Sequence, residues 1–471
     1  MLMRCWANTL ARYLLSLGEF KVWVRLKQLP IIDRYTVSNA VGIDLAPATP
    51  VIPPVFLIFF TLTISTHSPD ARMTATEWRA STSLASIFAL RLLGLFLVLP
   101  VFALEAAKYP GGDDPARVGL AMGIYGLTQG ILQIPFGQAS DRMGRKPVMI
   151  FGLLVFALGS FLATWAPTLD WLIAGRSLQG AGAISAAVTA MLADLTRDEV
   201  RTKAMTLVGG SISVVFALSL VMGPLLVNVI GFAGLFALTG LLALAAIAAV
   251  VYWVPPEPPK RADQGLGHVG SLLAVLKNPA LLRLDLGVFV LHAVQLAMWV
   301  AIPTLLVTAG LSKAEHWQIY LPVSLASFLI LWVTLFPLEK RGYLRAVFLA
   351  AVGLILVVQI AFMALPGFWQ PSLVLLGALL FLFFCGFNVL EASQPSLASR
   401  IAPANVRGAA LGVYNTLQAL GFFAGGAAGG WLSKAYGATG VFAACAALML
   451  LWLVVAWPMK ITSRHDAALA S

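Results

Sequence analysis

Charge is scarce in this chain. Asp, Glu, Lys and Arg make up 11% of its 471 residues, while 60% are apolar; soluble domains carry about a quarter charged residues. That deficit excludes an ordinary soluble fold. Acidic residues are the scarcer kind, 20 against 31 Lys and Arg, for a formal charge of +11. Cysteine is nearly missing. Cys5, Cys385 and Cys445 show no metal-ligand spacing, and the last two fall in apolar runs, where they read as packing residues rather than a disulfide pair. There is no nucleophile elbow, Walker loop or His/Glu metal helix, so no enzyme activity, ATP hydrolysis, metal or cofactor is expected.

What is present is a series of apolar runs long enough to cross a bilayer. Twelve spans are expected, at residues 83–105, 118–140, 148–166, 171–192, 204–230, 232–254, 280–308, 317–338, 345–365, 369–390, 409–433 and 441–459. Loops on one side then hold only Lys108, Arg117, Lys313 and Lys434 as basic residues. Arg142, Arg145, Lys146, Arg197, Arg201, Lys203, Lys260, Arg261, Arg400 and Arg407 are among those on the other side. Because basic loops stay in the cytoplasm, both ends of the spanning unit are expected there. The same asymmetry explains the net charge without a nucleic-acid partner.

Residues 1–72 stand apart. They carry Arg4, Arg12, Lys21, Arg25 and Lys27, then a proline-punctuated segment, then an apolar run at 51–66 that starts beside Pro53-Pro54 and is shorter than a span needs. They are expected to be a disordered or mis-started extension, with the functional chain beginning near Met73. The longest polar interruption, 255–279, opens Pro255-Pro256-Glu257-Pro258-Pro259-Lys260-Arg261 and reads as a cytoplasmic linker between six-span blocks at 80–254 and 280–459, with a tail at 460–471. The blocks echo one another. Leu195 and Val200-Arg201 recur at the same spacing as Ile401 and Val406-Arg407, and Leu99-Pro100 is echoed by Ile302-Pro303. Such an internal repeat is common in transporters whose site lies between two halves.

Polar residues inside the spans fall on few of them. Arg91 lies on span 1, and Arg176 and Gln179 on span 4. Asp285, His292, Gln295 and Trp299 form one stripe of span 7, and Asn388 and Glu391 share a face of span 10. A charge at mid-membrane costs at least ~2.5–3.5 kcal/mol, so these groups should face protein or water rather than lipid. Glu391 reads as the carboxylate well inside an apolar span, suited to taking and giving a proton; its alternative is a permanent hydrogen bond to Asn388 or a neighbouring backbone group. His292 is open between packing and titration, and Arg91 between a cavity role and snorkelling to the surface. Arginine cannot release its proton here, so Arg91 and Arg176 can only bias a carboxylate or hold an anionic ligand group. Phe381, Phe383, Phe384 and Phe387 make span 10 largely aromatic, and Gly421, Gly425, Gly426, Gly429 and Gly430 give span 11 overlapping faces for close helix contact.

Between spans 2 and 3 the chain runs Gly137-Gln138-Ala139-Ser140-Asp141-Arg142-Met143-Gly144-Arg145-Lys146-Pro147. Gly144 permits a tight turn and Pro147 suits the first turn of the next helix. The pattern G-x-x-x-D-R-x-G-R-K resembles the loop 2–3 signature of the major facilitator superfamily. Arg176-Ser177-Leu178-Gln179-Gly180-Ala181-Gly182 resembles the span 4 motif of its twelve-span drug:proton antiporter branch. The span 5 motif is partial: Gly210, Gly223 and Pro224 match, whereas Ser219, Val227 and Asn228 replace the usual small spacers. Further stretches resemble the bacterial YajR-type transporters, including Ile124-Tyr125-Gly126-Leu127-Thr128-Gln129, Asp194-Leu195-Thr196-Arg197 and Ala314-Glu315-His316-Trp317.

The resemblance implies an all-α membrane protein of twelve transmembrane helices in two pseudo-symmetric six-helix bundles, with spans 1, 4, 7 and 10 lining a central cavity. It implies a monomeric inner-membrane transporter that exports a small amphipathic compound by alternating access, driven by protons. A uniporter or importer of a small anionic metabolite is the alternative, as is a transport-dead membrane sensor. Two contacts are expected from it: an ion cluster of Asp141, Arg145 and Asp194 that favours the outward-open state, with Asp141 near the start of span 11, and a meeting of Gly137 with the span 11 glycines.

Overall fold

The computed structural model describes residues 73–257, 273–365, 372–403 and 407–459, all within one compact unit. The extension 1–72, most of the linker and the tail 460–471 lie outside the described residues, as do Lys260, Arg261 and the side chain of Arg407. Every regular element among the described residues is helical: α1 Ala75–Ala106, α2 Pro115–Met143, α3 Arg145–Thr164, α4 Leu169–Ala181, α5 Ser185–Asp194, α6 Asp198–Tyr252, α7 Pro279–Thr308, α8 Trp317–Lys340, α9 Leu344–Ala364, α10 Leu373–Ile401 and α11 Arg407–Ala456. One 3-10 turn, Lys313–Glu315, joins α7 to α8.

Eight of the helices are long and apolar enough to cross a membrane. Two of these are far too long to cross once. α6 has 55 residues and α11 has 50, or roughly 75–80 Å of helix against a hydrocarbon core of about 30 Å. Each doubles back at a glycine in the left-handed region, Gly231 (φ 71°) in α6 and Gly437 (φ 64°) in α11, a conformation that costs glycine nothing. These breaks fall between expected spans 5 and 6 and between spans 11 and 12. α2 and the α4–α5 pair complete the twelve. Span 4, expected as one continuous helix, is broken: Gly182, Ala183 and Ile184 are not helical.

Glycine sets which helices meet. Span 11, the first part of α11, carries two glycine faces a helical step apart. Gly421 and Gly425 press on α7, where an added Cβ would lie 2.4 Å from the Phe289 oxygen and 2.1 Å from the Ala293 oxygen. Gly426 and Gly430 press instead on α2, across the boundary between the halves. A Cβ on Gly119 would lie 2.3 Å from the Gly426 oxygen, and one on Gly126 2.3 Å from the Ala419 oxygen. The seam continues to Gly130 and Leu420. Gly137, expected to meet these glycines, has only Ala186 of its own half within reach of a Cβ, at 3.5 Å. The glycines of α2 that touch span 11 are Gly119, Gly123, Gly126 and Gly130. The halves are therefore in close contact along this stretch, whose outer end lies at Pro115 and Gly430.

In span 5, Gly223 makes the close approach its motif implies, with a Cβ falling 2.4 Å from the Leu97 oxygen, but Gly210 has nothing within 4 Å. Pro224 lies inside the helix, and its carbonyl accepts from Asn228 Nδ2 at 2.7 Å. Gly119 of the seam and Gly210 give a differential test. Gly119→Ala should lower stability by about 1–3 kcal/mol through overpacking. Gly210→Ala should be neutral or stabilise by about 0.5–1 kcal/mol, because alanine is the better helix former. Thermal unfolding of both variants in detergent checks the contrast, and equal losses would contradict it.

Candidate functional site: a transport pathway between the halves

The 2–3 loop is built as a knot of charge at the inner face. Gly144 (φ 103°) ends α2 and starts α3 with no room for another residue type. Arg145 is the hub. Its guanidinium donates to Asp141, to Asp194 of α5 at 3.1 Å and to Ser140 Oγ at 2.7 Å. The expected Asp141–Arg145–Asp194 cluster thus forms, its three members all contributed by the N-terminal half. The expected neighbour of Asp141, the lead into span 11, falls at residues 404–406 outside the described residues. Arg142 is exposed. Lys146 holds the start of the linker: its Nζ donates to the Val254 oxygen at 2.7 Å, and its backbone N–H donates to Glu257 at 2.6 Å. Glu257 so serves as the missing cap of α3, whose first residue follows a glycine with no side chain to offer. Glu77, part of a capping box with Thr74, receives Arg197 through both carboxylate oxygens at 2.8 and 3.1 Å.

Inside the N-terminal half lie Arg91 and Arg176, 1% and 4% exposed. Arg91 does not snorkel. It donates to Tyr125 Oη at 2.6 Å and to Ser185 Oγ at 3.3 Å, and lies over the Phe156 ring at 5.4 Å. Arg176 donates to Gln179 Oε1 at 2.9 Å and to the Met122 oxygen, between the rings of Phe102 and Tyr125 at 5.6 and 5.2 Å. Gln179 in turn donates to Ser160 Oγ at 2.8 Å. Neither guanidinium has a carboxylate partner among the described residues, and both Nε atoms are buried without a hydrogen bond. Stacking on aromatic faces offsets only about 0.5–2 kcal/mol per cation, less than the ~2.5–3.5 kcal/mol cost of placing each charge at mid-membrane. Glycines close the site: a Cβ on Gly180 would lie 2.1 Å from the Tyr125 oxygen, and one on Gly182 2.4 Å from the Gly152 oxygen.

The C-terminal half holds the carboxylates. Glu391 faces His292 of α7, with Oε2 to Nε2 at 3.3 Å, and Gln418 of span 11, whose Nε2 is 3.5 Å from Oε1. Gln418 Nε2 also lies 2.7 Å from His292 Nε2, while His292 Nδ1 meets the Val288 oxygen at 2.8 Å. The expected alternative for Glu391, a bond to Asn388, is not made: Asn388 donates to Ser327 Oγ at 3.0 Å. Asp285 was expected on the span 7 stripe but not as the deeper acid. It is 3% exposed, with Oδ2 unpartnered, whereas the Glu391 side chain is 32% exposed. Gln295 is buried with Oε1 unpartnered, in a small cleft with Met298, Trp299, Phe383 and Phe384. Phe384 and Phe387 also meet Phe216 of span 5, ring centroids 6.1 and 6.4 Å apart, giving an aromatic contact across the halves. Cys385 and Cys445 are buried free thiols, and Cys5 lies outside the described residues. Gln418 was invisible to sequence reasoning because it sits on span 11, outside the four spans singled out.

At the outer face all four basic loop residues are paired. Lys108 and Lys313 converge on buried Glu105, Arg117 meets Asp170, and Lys434 meets Asp114 at 2.8 Å. Two of these bridges, Lys313–Glu105 and Lys434–Asp114, tie the C-terminal half to the N-terminal half. The Lys434 ammonium and the Ala116 N–H hold the Asp114 carboxyl below its ordinary range. Such a pair helps the closed outer face above the usual carboxylate range and is lost as pH falls through the lowered value.

This is the architecture of a secondary transporter, two bundles with buried ionisable groups turned inward and away from lipid. The chain belongs to the Major Facilitator Superfamily, whose family model matches residues 84–426. It is similar to the inner membrane transport protein YajR of Escherichia coli, 42% identical over 83% of this chain and 85% of that protein. It is also 32% identical to the class B tetracycline resistance protein of Escherichia coli, over 33% of this chain and 38% of that one. Among solved structures, a bacterial homologue of the human lysosomal transporter Spinster, inward-facing and unoccupied, shares the fold with a TM-score of 0.63. That match covers 82% of this chain and 96% of the other, at 15% identity. The protein is a multi-pass transporter of the inner membrane, acting on a small-molecule substrate, and is not an enzyme.

Arg145→Ala leaves Asp141 and Asp194 facing each other without their cation, and should cost about 1.5–3 kcal/mol. Arg145→Lys should recover only part, since one ammonium cannot reproduce the planar fork. Thermal melts of the two variants check the order.

Proposed function

We propose that the chain is a proton-coupled exporter of small amphipathic compounds that works by alternating access. The observation that carries this reading is the Glu391–His292–Gln418 group. With Nδ1–H directed at the Val288 oxygen, the His292 Nε2 lone pair is met by the Gln418 amide at 2.7 Å, and Glu391 Oε2 lies 3.3 Å from the same nitrogen. A carboxylate with a side chain 32% exposed beside a buried imidazole is suited to taking a proton from water and passing it on as the bundles move.

The apolar wall of Phe216, Phe384 and Phe387 suits an amphipathic body, and resistance proteins among the relatives support export. Closure at the outer seam and opening at the inner one would be the two ends of a rocking motion. Glu391→Gln should abolish transport driven by a pH gradient in proteoliposomes while sparing ligand binding, because glutamine keeps the shape and loses the proton. Undiminished gradient-driven transport would contradict the assignment.

A further inference from the structure

In the N-terminal half, two buried guanidinium groups have no carboxylate partner among the described residues. Arg91 and Arg176 share one tyrosine, and each keeps a buried Nε with no acceptor. A second, independent source of positive potential lies against them. Span 4 is broken at Gly182–Ile184, so α5 begins inside the membrane rather than at its surface. The first N–H groups of α5, at Ser185, Ala186 and Ala187, have no acceptor in their own helix. The residue at the cap is Ile184, which has no polar side chain to supply one. Arg91 donates to Ser185 Oγ, the first residue of α5, which puts its guanidinium at this positive helix end. Gln179, three residues before the break begins at Gly182, fixes Arg176, which lies over the Tyr125 ring.

Two cations and a helix N-terminus repel one another in a dry interior unless an anion sits among them. We propose that the broken span 4, with Arg91 and Arg176, is the binding site for the anionic group of the substrate, so that the transported class is organic anions with an aromatic or otherwise apolar body. The rings of Phe102, Tyr125 and Phe156, which already line the guanidinium faces, provide the matching apolar surface. The carboxylates Asp285 and Glu391 lie in the other half, so the cationic and acidic walls face the pathway from opposite bundles. An anionic group binds to the first wall while the proton is handled at the second. This inference rests on the transporter reading and names the substrate class for it.

The test is equilibrium binding to the purified full-length protein, without any gradient, read as ligand-induced thermal stabilisation. The probes share one ring system and differ in charge: 2-naphthoate, neutral 2-naphthamide and 2-naphthylmethylammonium, each in gluconate buffer. The expected result is stabilisation by naphthoate alone, with roughly tenfold or greater loss of affinity in Arg91→Gln and in Arg176→Gln, and partial retention in Arg91→Lys. Absence of naphthoate binding, equal stabilisation by the amide or the ammonium, or unchanged affinity in both glutamine variants would overturn it. Equal stabilisation by chloride in place of gluconate would assign the charge to an inorganic counter-ion and also overturn it. The wild-type charge series decides the matter even if a variant does not fold. Failure of proton coupling would appear instead in gradient-driven flux of Glu391→Gln, so the two readings can fail separately.

Discussion

Span 2 and span 11 approach until main chain meets main chain, and the rest of the arrangement depends on that contact. Gly119, Gly123 and Gly126 on one helix and Gly426 and Gly430 on the other bring main chain against main chain. In a bilayer, apolar side chains gain little by leaving lipid, so helices associate through close packing rather than through the hydrophobic effect. A seam built around glycines offers that packing from Pro115 to Gly130 on α2. The outer ion pairs of Glu105 and Asp114 add electrostatic ties where water can still reach them.

The second organising constraint is that buried charge must find protein partners. The chain meets it differently in each half. In the N-terminal bundle, guanidinium groups lie on aromatic rings and hydroxyls, with no acid close by. In the C-terminal bundle, acids lie beside a histidine, a glutamine and Tyr414, whose hydroxyl is itself unpartnered. This separation of sign across the pathway makes each wall sensitive to a different species, an anion on one side and a proton on the other. Coupling then follows from both walls being parts of bodies that move together.

Much of this was legible in the sequence. Hydropathy placed the spans within a few residues, and the turns at Gly231 and Gly437 fall where polar or small residues interrupted the apolar runs. The charged loop 137–147 announced its own hub, since Arg145 and Asp194 are the right types at matching depth. What was not legible is geometry that depends on neighbouring helices. The break in span 4 follows from Gly182 packing against Gly152, a contact between two helices that hydropathy reads as continuous. The glycines opposite span 11 were misassigned to Gly137 because one sequence gives no register between non-adjacent spans. Asp285 was placed on the span 7 stripe while Glu391 was named as the carboxylate well inside a span, although its neighbours bury Asp285 more deeply.

The central claim is that the two bundles rock against each other, so that the outer glycine seam opens as the inner face closes. Spin labels at Asp113 and Trp431, exposed positions on opposite sides of that seam, and at Met143 and Leu273, exposed positions of the two halves at the inner face, report both ends in the same sample. The account predicts two distance populations at each end that change in opposite directions, the outer pair separating as the inner pair closes. A single rigid distance at the outer pair while the inner pair varies would contradict it.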